Sequence, residues 1–219
     1  MLMRFKLLKI YIGFNTGELF YSIMKEQFDF YAYISRMKYI VRWGLMRNTD
    51  SENIQEHSLQ VAVLAHALAV IHNKLCPQDP LSPERACLYG VFHDAAEIIT
   101  GDLPTPIKYY NPVIKENYQA IEDIAKDKLL SMLPEDMVDI YKPILFYEEE
   151  DDKYYPIVKS ADKLSAYIKC VEEVKAGNKE FVKAMEATGK ALKESDLPEL
   201  RYFMEHYLEA YNKTLDEMN

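Results

Sequence analysis

From Phe28 onward, apolar residues recur at helical spacing and polar runs between them carry the signals that start and stop helices. Phe28 to about Arg42 reads as an aromatic-rich helix, followed by a loop, Trp43-Gly44-Leu45-Met46-Arg47-Asn48. Ser51 is the expected N-cap of the next helix, which runs through Ile71. That helix is apolar nearly all round from Val61 to Ile71, so it should sit at the centre of the molecule. Lys74 to Pro80 is a connector. Ser82-Pro83-Glu84 supplies a cap, a proline at the first position and an acid in the first turn. The helix it opens should reach Thr100 and stop at Gly101. Two prolines make Asp102-Leu103-Pro104-Thr105-Pro106 a stiff loop. Further helices are expected from Asn111-Pro112 to about Leu133, Pro134 to about Tyr147, Tyr155 to Ala176 before Gly177, Glu180 to Lys193, and Pro198 to Asp216. Glu148 to Asp152 is an acidic loop, and no segment reads as a strand. The expectation is an all-α fold, a single-domain helical bundle over residues 28–219.

Composition narrows the classes. The 219 residues suffice for one sizeable core, and seven glycines are few for a turn-rich β fold. A net charge of −9 without a Lys/Arg block disfavours binding to nucleic acid polymers. A small anionic substrate remains compatible, because a pocket can be positive on an acidic protein. Cys76, Cys87 and Cys170 form no C-x-x-C pair, which suggests a reducing, cytoplasmic setting. There is no uninterrupted apolar run of about 18 residues, so no transmembrane helix is expected, and the reading includes no membrane partner. Residues 1–27 are basic and apolar, but Lys6 and Lys9 interrupt them and no small-x-small cleavage site follows. They read as an N-terminal extension, with Met24 as the usual first residue, rather than a signal peptide; a short docked or membrane-touching segment is the alternative.

The chemistry concentrates at His93-Asp94, inside the apolar stretch Cys87 to Glu97. A histidine and an aspartate there are costly unless something satisfies them, and a divalent cation would satisfy both. His57 upstream and Asp162 downstream complete a set of two imidazoles and two carboxylates. This mixed N/O set suits a transition ion better than Ca²⁺ or Mg²⁺ and leaves positions open on an octahedral ion. Each residue alone has a plainer reading. Asp162 could pair with Lys159 or Lys163 at the surface. His66, His72 and His206 are read as core or surface residues. Glu97 lies one turn after His93, among small and apolar neighbours, and could pass a proton in the same cavity. Asp102 either aims into that pocket or bonds local backbone. Arg42 and Trp43 either pack, or hold a phosphate and wall a nucleoside.

Taken together these segments resemble the HD-domain phosphohydrolases, whose pattern is H…HD…D, and within them the bacterial 5′-deoxynucleotidase family. The resemblance rests on Ser35-Arg36-Met37-Lys38, Arg42-Trp43, Leu45-Met46-Arg47-Asn48, Glu56-His57-Ser58-Leu59-Gln60-Val61-Ala62, His93-Asp94-Ala95-Ala96-Glu97, Thr100 to Tyr109 and Val158-Lys159-Ser160-Ala161-Asp162. The Gly-Asp-Leu-Pro-Thr-Pro loop is more specific than His-Asp itself. It implies that His57, His93, Asp94 and Asp162 bind one divalent cation per subunit, Co²⁺ or Mn²⁺ being typical. It implies that Glu97 assists the attacking water, and that Arg42 and Asp102 act on phosphate and leaving group. Arg42, Trp43, His57, Asp94, Asp102, Leu103, Pro104 and Thr105 would contact the substrate. The implied reaction removes phosphate from 2′-deoxyribonucleoside 5′-monophosphates, in a homodimer. Departures are Gly44, where relatives usually carry proline, and the stretch Glu148 to Pro156. Two rivals stand beside this reading: an HD hydrolase of a nucleoside triphosphate or signalling nucleotide, and a non-catalytic nucleotide-binding module with a structural metal.

Overall fold

The computed structural model describes residues 27–108, 111–147 and 149–218; nearly all of the expected N-terminal extension lies outside these. Ten α-helices carry the described fold: α1 Phe30–Ile34, α2 Ile54–Leu75, α3 Pro83–Phe92, α4 Glu97–Thr100, α5 Thr105–Lys108, α6 Pro112–Leu130, α7 Glu135–Phe146, α8 Tyr155–Lys175, α9 Val182–Lys193 and α10 Pro198–His206. Among the described residues there is no strand, only an isolated antiparallel bridge between Val41 and Asn53. The all-α expectation holds.

α2 is central, as its all-round apolarity predicts. It packs against α3, α8 and α10, and buries Val61, Leu64, Leu68 and Ile71. Each such side chain, fully buried, stabilises by roughly 1.5–3 kcal/mol. By length and composition alone α2 would qualify as a membrane span; here its buried face forms the main core. A second cluster, with Phe30, Ala95, Leu129 and Leu145, ties α1, α6 and α7 to the turn after α3.

Several boundaries differ from the sequence expectation, each for a local reason. The cap of α2 is Asn53, not Ser51: its side chain accepts from the Glu56 amide while the Glu56 side chain accepts from the Asn53 amide. The aromatic helix expected to Arg42 is short; after Ile34 it tightens into a 3₁₀ turn, Ser35–Tyr39, and ends because Ile40 and Arg42 pair with the segment before α2. The helix expected from Pro83 to Thr100 breaks at His93–Ala96. There the amides of Ala95 and Glu97 bond three residues back, to Phe92 and Asp94. The last two residues of the stiff loop after Gly101 are helical, in α5, and the last helix stops at His206 before 3₁₀ turns. The other signals hold: Ser82 accepts from the Arg85 amide, Asn111 from that of Ile114, and Gly101 and Gly177 adopt φ of 73° and 91°.

Gly90 fixes how closely α3 approaches α2. A Cβ there would lie 2.5 Å from the Ala62 Cα, a backbone atom that has no flexible end to move. Gly90→Ala should therefore force the two central helices apart, costing about 1–3 kcal/mol and lowering the thermal midpoint. An unchanged midpoint in thermal unfolding would contradict this packing.

Candidate metal centre

Three helical segments converge on one point. His57 comes from the first turn of α2, where it is fully buried. His93 and Asp94 come from the broken turn after α3, and Asp162 from the third turn of α8. One donor atom each of His57, His93 and Asp162 lies within 4.8 Å of the others. The fourth expected ligand joins them: Asp94 Oδ2 is 3.0 Å from His93 Nε2 and 3.5 Å from His57 Nε2, while Asp162 Oδ1 is 3.2 Å from His57 Nε2. Asp162 is thus committed to His57; no ion pair with Lys159 or Lys163 forms among the described residues.

The imidazoles are held from behind. His57 Nδ1 lies 3.0 Å from Ser165 Oγ, and that hydroxyl donates to Gln60 Oε1. A hydroxyl has one proton, so Ser165 accepts from His57 and the proton of a neutral imidazole sits on Nδ1. His93 Nδ1 likewise faces the Gly90 carbonyl at 2.8 Å and donates to it. Both Nε2 atoms are then bare lone pairs, buried and without a hydrogen-bond partner. Two unpaired nitrogens facing two carboxylates are what a cation would satisfy, so the donor set fits the expected ion. Among the described residues no other such group includes these histidines.

The carboxylates differ in charge state. Burial opposes ionisation of Asp94, but the adjacent His93 and His57 imidazoles, wherever they take up a proton in place of a cation, hold it well below the usual carboxylate range. Burial also works against Asp162, which the same two imidazoles, in that protonated state, bring down to about 2. Glu97 goes the other way: burial, then the charges of Asp94 and Asp102, push it up to about 10, and its Oε2 has no partner. Arg42 and Lys108 pull against that shift, as any cation at the ligands would.

Arg42 and Trp43 are joined by Glu52, a residue that sequence reasoning missed. Glu52 Oε2 accepts from Arg42 Nη1 at 2.5 Å and from Trp43 Nε1 at 3.2 Å. Asp102 Oδ2 accepts from the Trp43 amide at 3.2 Å. Asp102 therefore ties two loops together, and its own acidity is weakened by burial. The Arg42 guanidinium feels Glu52, Asp94, Asp162 and Asp102, which raise its pKa against the cost of burial. Leu103 and Pro104 are half-buried in the loop entering α5, whose first residue is Thr105. Two more cations contribute to the field. Lys159 feels Asp162 and Asp94, and Lys108 feels Glu97 but is paired with Glu122 at 2.9 Å. Gln60 and Lys159 lie inside segments that carry the resemblance, although no role at the site was drawn for them; Ser165 and Glu52 lie outside every such segment.

The Glu97 carboxyl makes a testable contribution to stability. With its pKa raised from 4.5 to about 10, the native state keeps a proton that the unfolded chain loses. Stability of the chelated protein should then fall as pH rises through that window. Glu97→Gln removes the titration, so in EDTA its thermal midpoint should exceed the wild type at pH 8, and by less at pH 5. A gap independent of pH would rule out the raised carboxyl.

The sequence model of the family described as YfbR-like 5′-deoxynucleotidase matches residues 29–211. A 5′-deoxynucleotidase of Photobacterium profundum is 50% identical over 194 residues, covering 89% of this chain and 100% of the relative. The 5′-deoxynucleotidase YfbR of Escherichia coli is 45% identical over 194 residues, covering 89% and 97%. Among solved structures, an HD-domain phosphohydrolase from Listeria innocua superposes with a TM-score of 0.73 at 19% identity, covering 84% of this chain and 88% of that one. The cyanophage S-2L HD phosphohydrolase, bound to dA and one catalytic Zn²⁺, gives 0.56 at 22% identity, covering 84% and 96%. At these identities the solved structures establish the fold, and the sequence relatives establish the branch. With its two histidines and two aspartates gathered on an HD-type helical bundle, the chain belongs to the YfbR-like 5′-deoxynucleotidase family.

Proposed function

We propose that the protein is a metal-dependent phosphoric monoester hydrolase that releases phosphate from 2′-deoxyribonucleoside 5′-monophosphates. The observation that carries this reading is the meeting of His57, His93, Asp94 and Asp162 in a chain half-identical to a 5′-deoxynucleotidase over that relative's full length. These four residues would hold one divalent cation. When bound, the ion supplies Lewis-acid activation of water and neutralises charge on the phosphoryl group. The donor set fits Co²⁺ or Mn²⁺, and equally the Zn²⁺ carried by the cyanophage protein.

The chain's own groups do the rest. Arg42 binds the phosphate: Glu52 takes Nη1, and the other guanidinium nitrogens have no protein partner among the described residues. Glu97 holds or moves the proton, because its buried carboxyl is poised between groups that raise and groups that lower its acidity. Asp102 positions Trp43, and with Leu103 and Pro104 lines the nucleoside side; the side chain of Thr105, also expected there, lies outside the described set. Trp43 walls the sugar and sets the preference for deoxyribose. A monophosphate suits the pocket better than a longer chain, because Lys108 is already committed to Glu122.

The same reading includes a homodimer and a cytoplasmic setting. Leu59, Val63 and Val70 form an exposed apolar stripe on α2 that a second copy would cover. The three cysteines are unpaired thiols. Residues 1–27 are read as an extension outside the enzyme body, in keeping with a family match that begins at residue 29.

Phosphate release from 5′-dNMPs, 5′-NMPs, 3′-dNMPs and dNTPs tests the reaction. Turnover of 5′-dNMPs with Co²⁺ or Mn²⁺, abolished by EDTA, is expected; pyrophosphate or tripolyphosphate from a dNTP would move the protein to the rival branch. Nucleotide binding without turnover of any substrate would make it a binding module. Trp43→Ala should lower the deoxy/ribo ratio of kcat/KM several-fold, and an unchanged ratio would remove Trp43 from sugar selection.

A further inference from the structure

Glu52 is half-buried between the two loops and the start of α2, yet no part of the reaction described above uses it. Its carboxylate serves two donors from two adjacent residues: Oε2 accepts from Arg42 Nη1 at 2.5 Å and from Trp43 Nε1 at 3.2 Å. Its backbone repeats the attachment, with the Glu52 carbonyl accepting from the Arg42 amide at 2.9 Å. The neighbouring Val41–Asn53 bridge and the bond from the Ile54 amide to the Ile40 carbonyl extend it to a short two-stranded clasp. Asn53 is the residue that caps α2, and His57 stands one turn further on. One segment thus fixes both the start of the metal-ligand helix and the Arg-Trp pair.

Trp43 needs such a hold. Its φ is 60°, in the left-handed region that a bulky L-residue avoids. A conformation of that kind persists only where the surroundings over-determine it. Asp102 holds the Trp43 amide and Glu52 holds the indole N–H, so backbone and ring are pinned from opposite ends. The Arg42 guanidinium lies 5.8 Å over the same indole, which makes Arg42, Trp43 and Glu52 one contiguous unit. Arg42 is also drawn toward the carboxylates of Asp94 and Asp162. A fixed counter-charge on Nη1 sets which edge of the guanidinium fork remains for an incoming anion.

We propose that Glu52 is a positioning residue that sets the phosphate-holding Arg42 and the sugar-facing Trp43 as a single unit, coupling phosphate orientation to deoxyribose selection. The proposal rests on the roles given to Arg42 and Trp43 in the proposed reaction. Losing Glu52 frees two donors at once. Losing only its charge does something different: glutamine keeps an acceptor for the indole N–H but no longer pairs with the guanidinium as an ion.

The test is steady-state kinetics on one 5′-dNMP and its ribonucleotide with wild type, Glu52→Ala, Glu52→Gln, Arg42→Ala and the Arg42→Ala/Glu52→Ala double variant. Metal binding by calorimetry and thermal unfolding are measured on each. Glu52→Ala should lower kcat/KM roughly tenfold to a hundredfold, the size of losing a hydrogen bond to a charged group, and lower the deoxy/ribo ratio. Glu52→Gln should lose kcat/KM and retain the ratio. In the Arg42→Ala background, removing Glu52 should cost little further kcat/KM on the deoxynucleotide, beyond the indole's share, and should leave metal affinity close to that of Arg42→Ala itself. Additive losses in the double variant, or wild-type kinetics in both single Glu52 variants, would overturn the proposal even with Arg42 essential. Wild-type kinetics in Arg42→Ala would instead strike the phosphate role itself. Glu52→Gln, close to the native shape, keeps the test decisive if Glu52→Ala fails to fold.

Discussion

Everything in this molecule turns on two imidazole nitrogens that are buried, bare and aimed at each other's carboxylate partners. The Nε2 atoms of His57 and His93 have no hydrogen-bond partner, and each ring is locked through its Nδ1. An unpaired buried polar atom costs on the order of 1–3 kcal/mol, so two of them side by side are maintained for something outside the chain. The fold bears that cost through packing. α2 and α3 approach so closely that only glycine fits at residue 90, and the Gly90 carbonyl then fixes His93. α8 brings Asp162 to the site and, three residues later, Ser165 to the back of His57.

Around that centre the electrostatics are balanced rather than uniformly negative. The chain carries a net charge of −9, yet Arg42, Lys108 and Lys159 all stand in the field of the site carboxylates. The ionised Asp94 and Asp162 are suited to ligation, while Glu97, deeper among like charges, is suited to carrying a proton. In the proposed reaction, two carboxyl environments pushed apart in this way would divide the work of holding an ion from the work of moving a proton. The loop carrying Arg42 and Trp43 closes the other side, and Asp102 and Glu52 join it to the walls.

Much of this was legible in the sequence. Helical periodicity gave the fold class, and the all-round apolarity of Val61 to Ile71 marked the central helix. The residues of the proposed ligand set, His93-Asp94 with His57 and Asp162, were picked out by type and by the resemblance that those segments carry, and the fold brings them together. What was not legible depended on contacts between distant segments. The break in the helix at His93–Ala96 has no proline or glycine to announce it; it arises where Ala95 enters the second core cluster and His93 turns back to Gly90. Asn53 caps α2 in place of Ser51 because the clasp with Ile40 and Arg42 sets where the extended chain ends. Ser165 and Glu52 look like ordinary polar residues in sequence, and only the approach of α8 and of the Arg-Trp loop gives each its partner.

The central claim is that His57, His93, Asp94 and Asp162 are the ligands of one divalent cation. X-ray absorption on the Co²⁺-loaded protein reads that shell directly, by counting the imidazole scatterers and the nitrogen or oxygen atoms bound to the ion. Two imidazoles in a mixed N/O shell, falling to one imidazole in a His57 variant that still binds metal, is the predicted result. A shell with a single imidazole or none, or one containing sulfur, would contradict it.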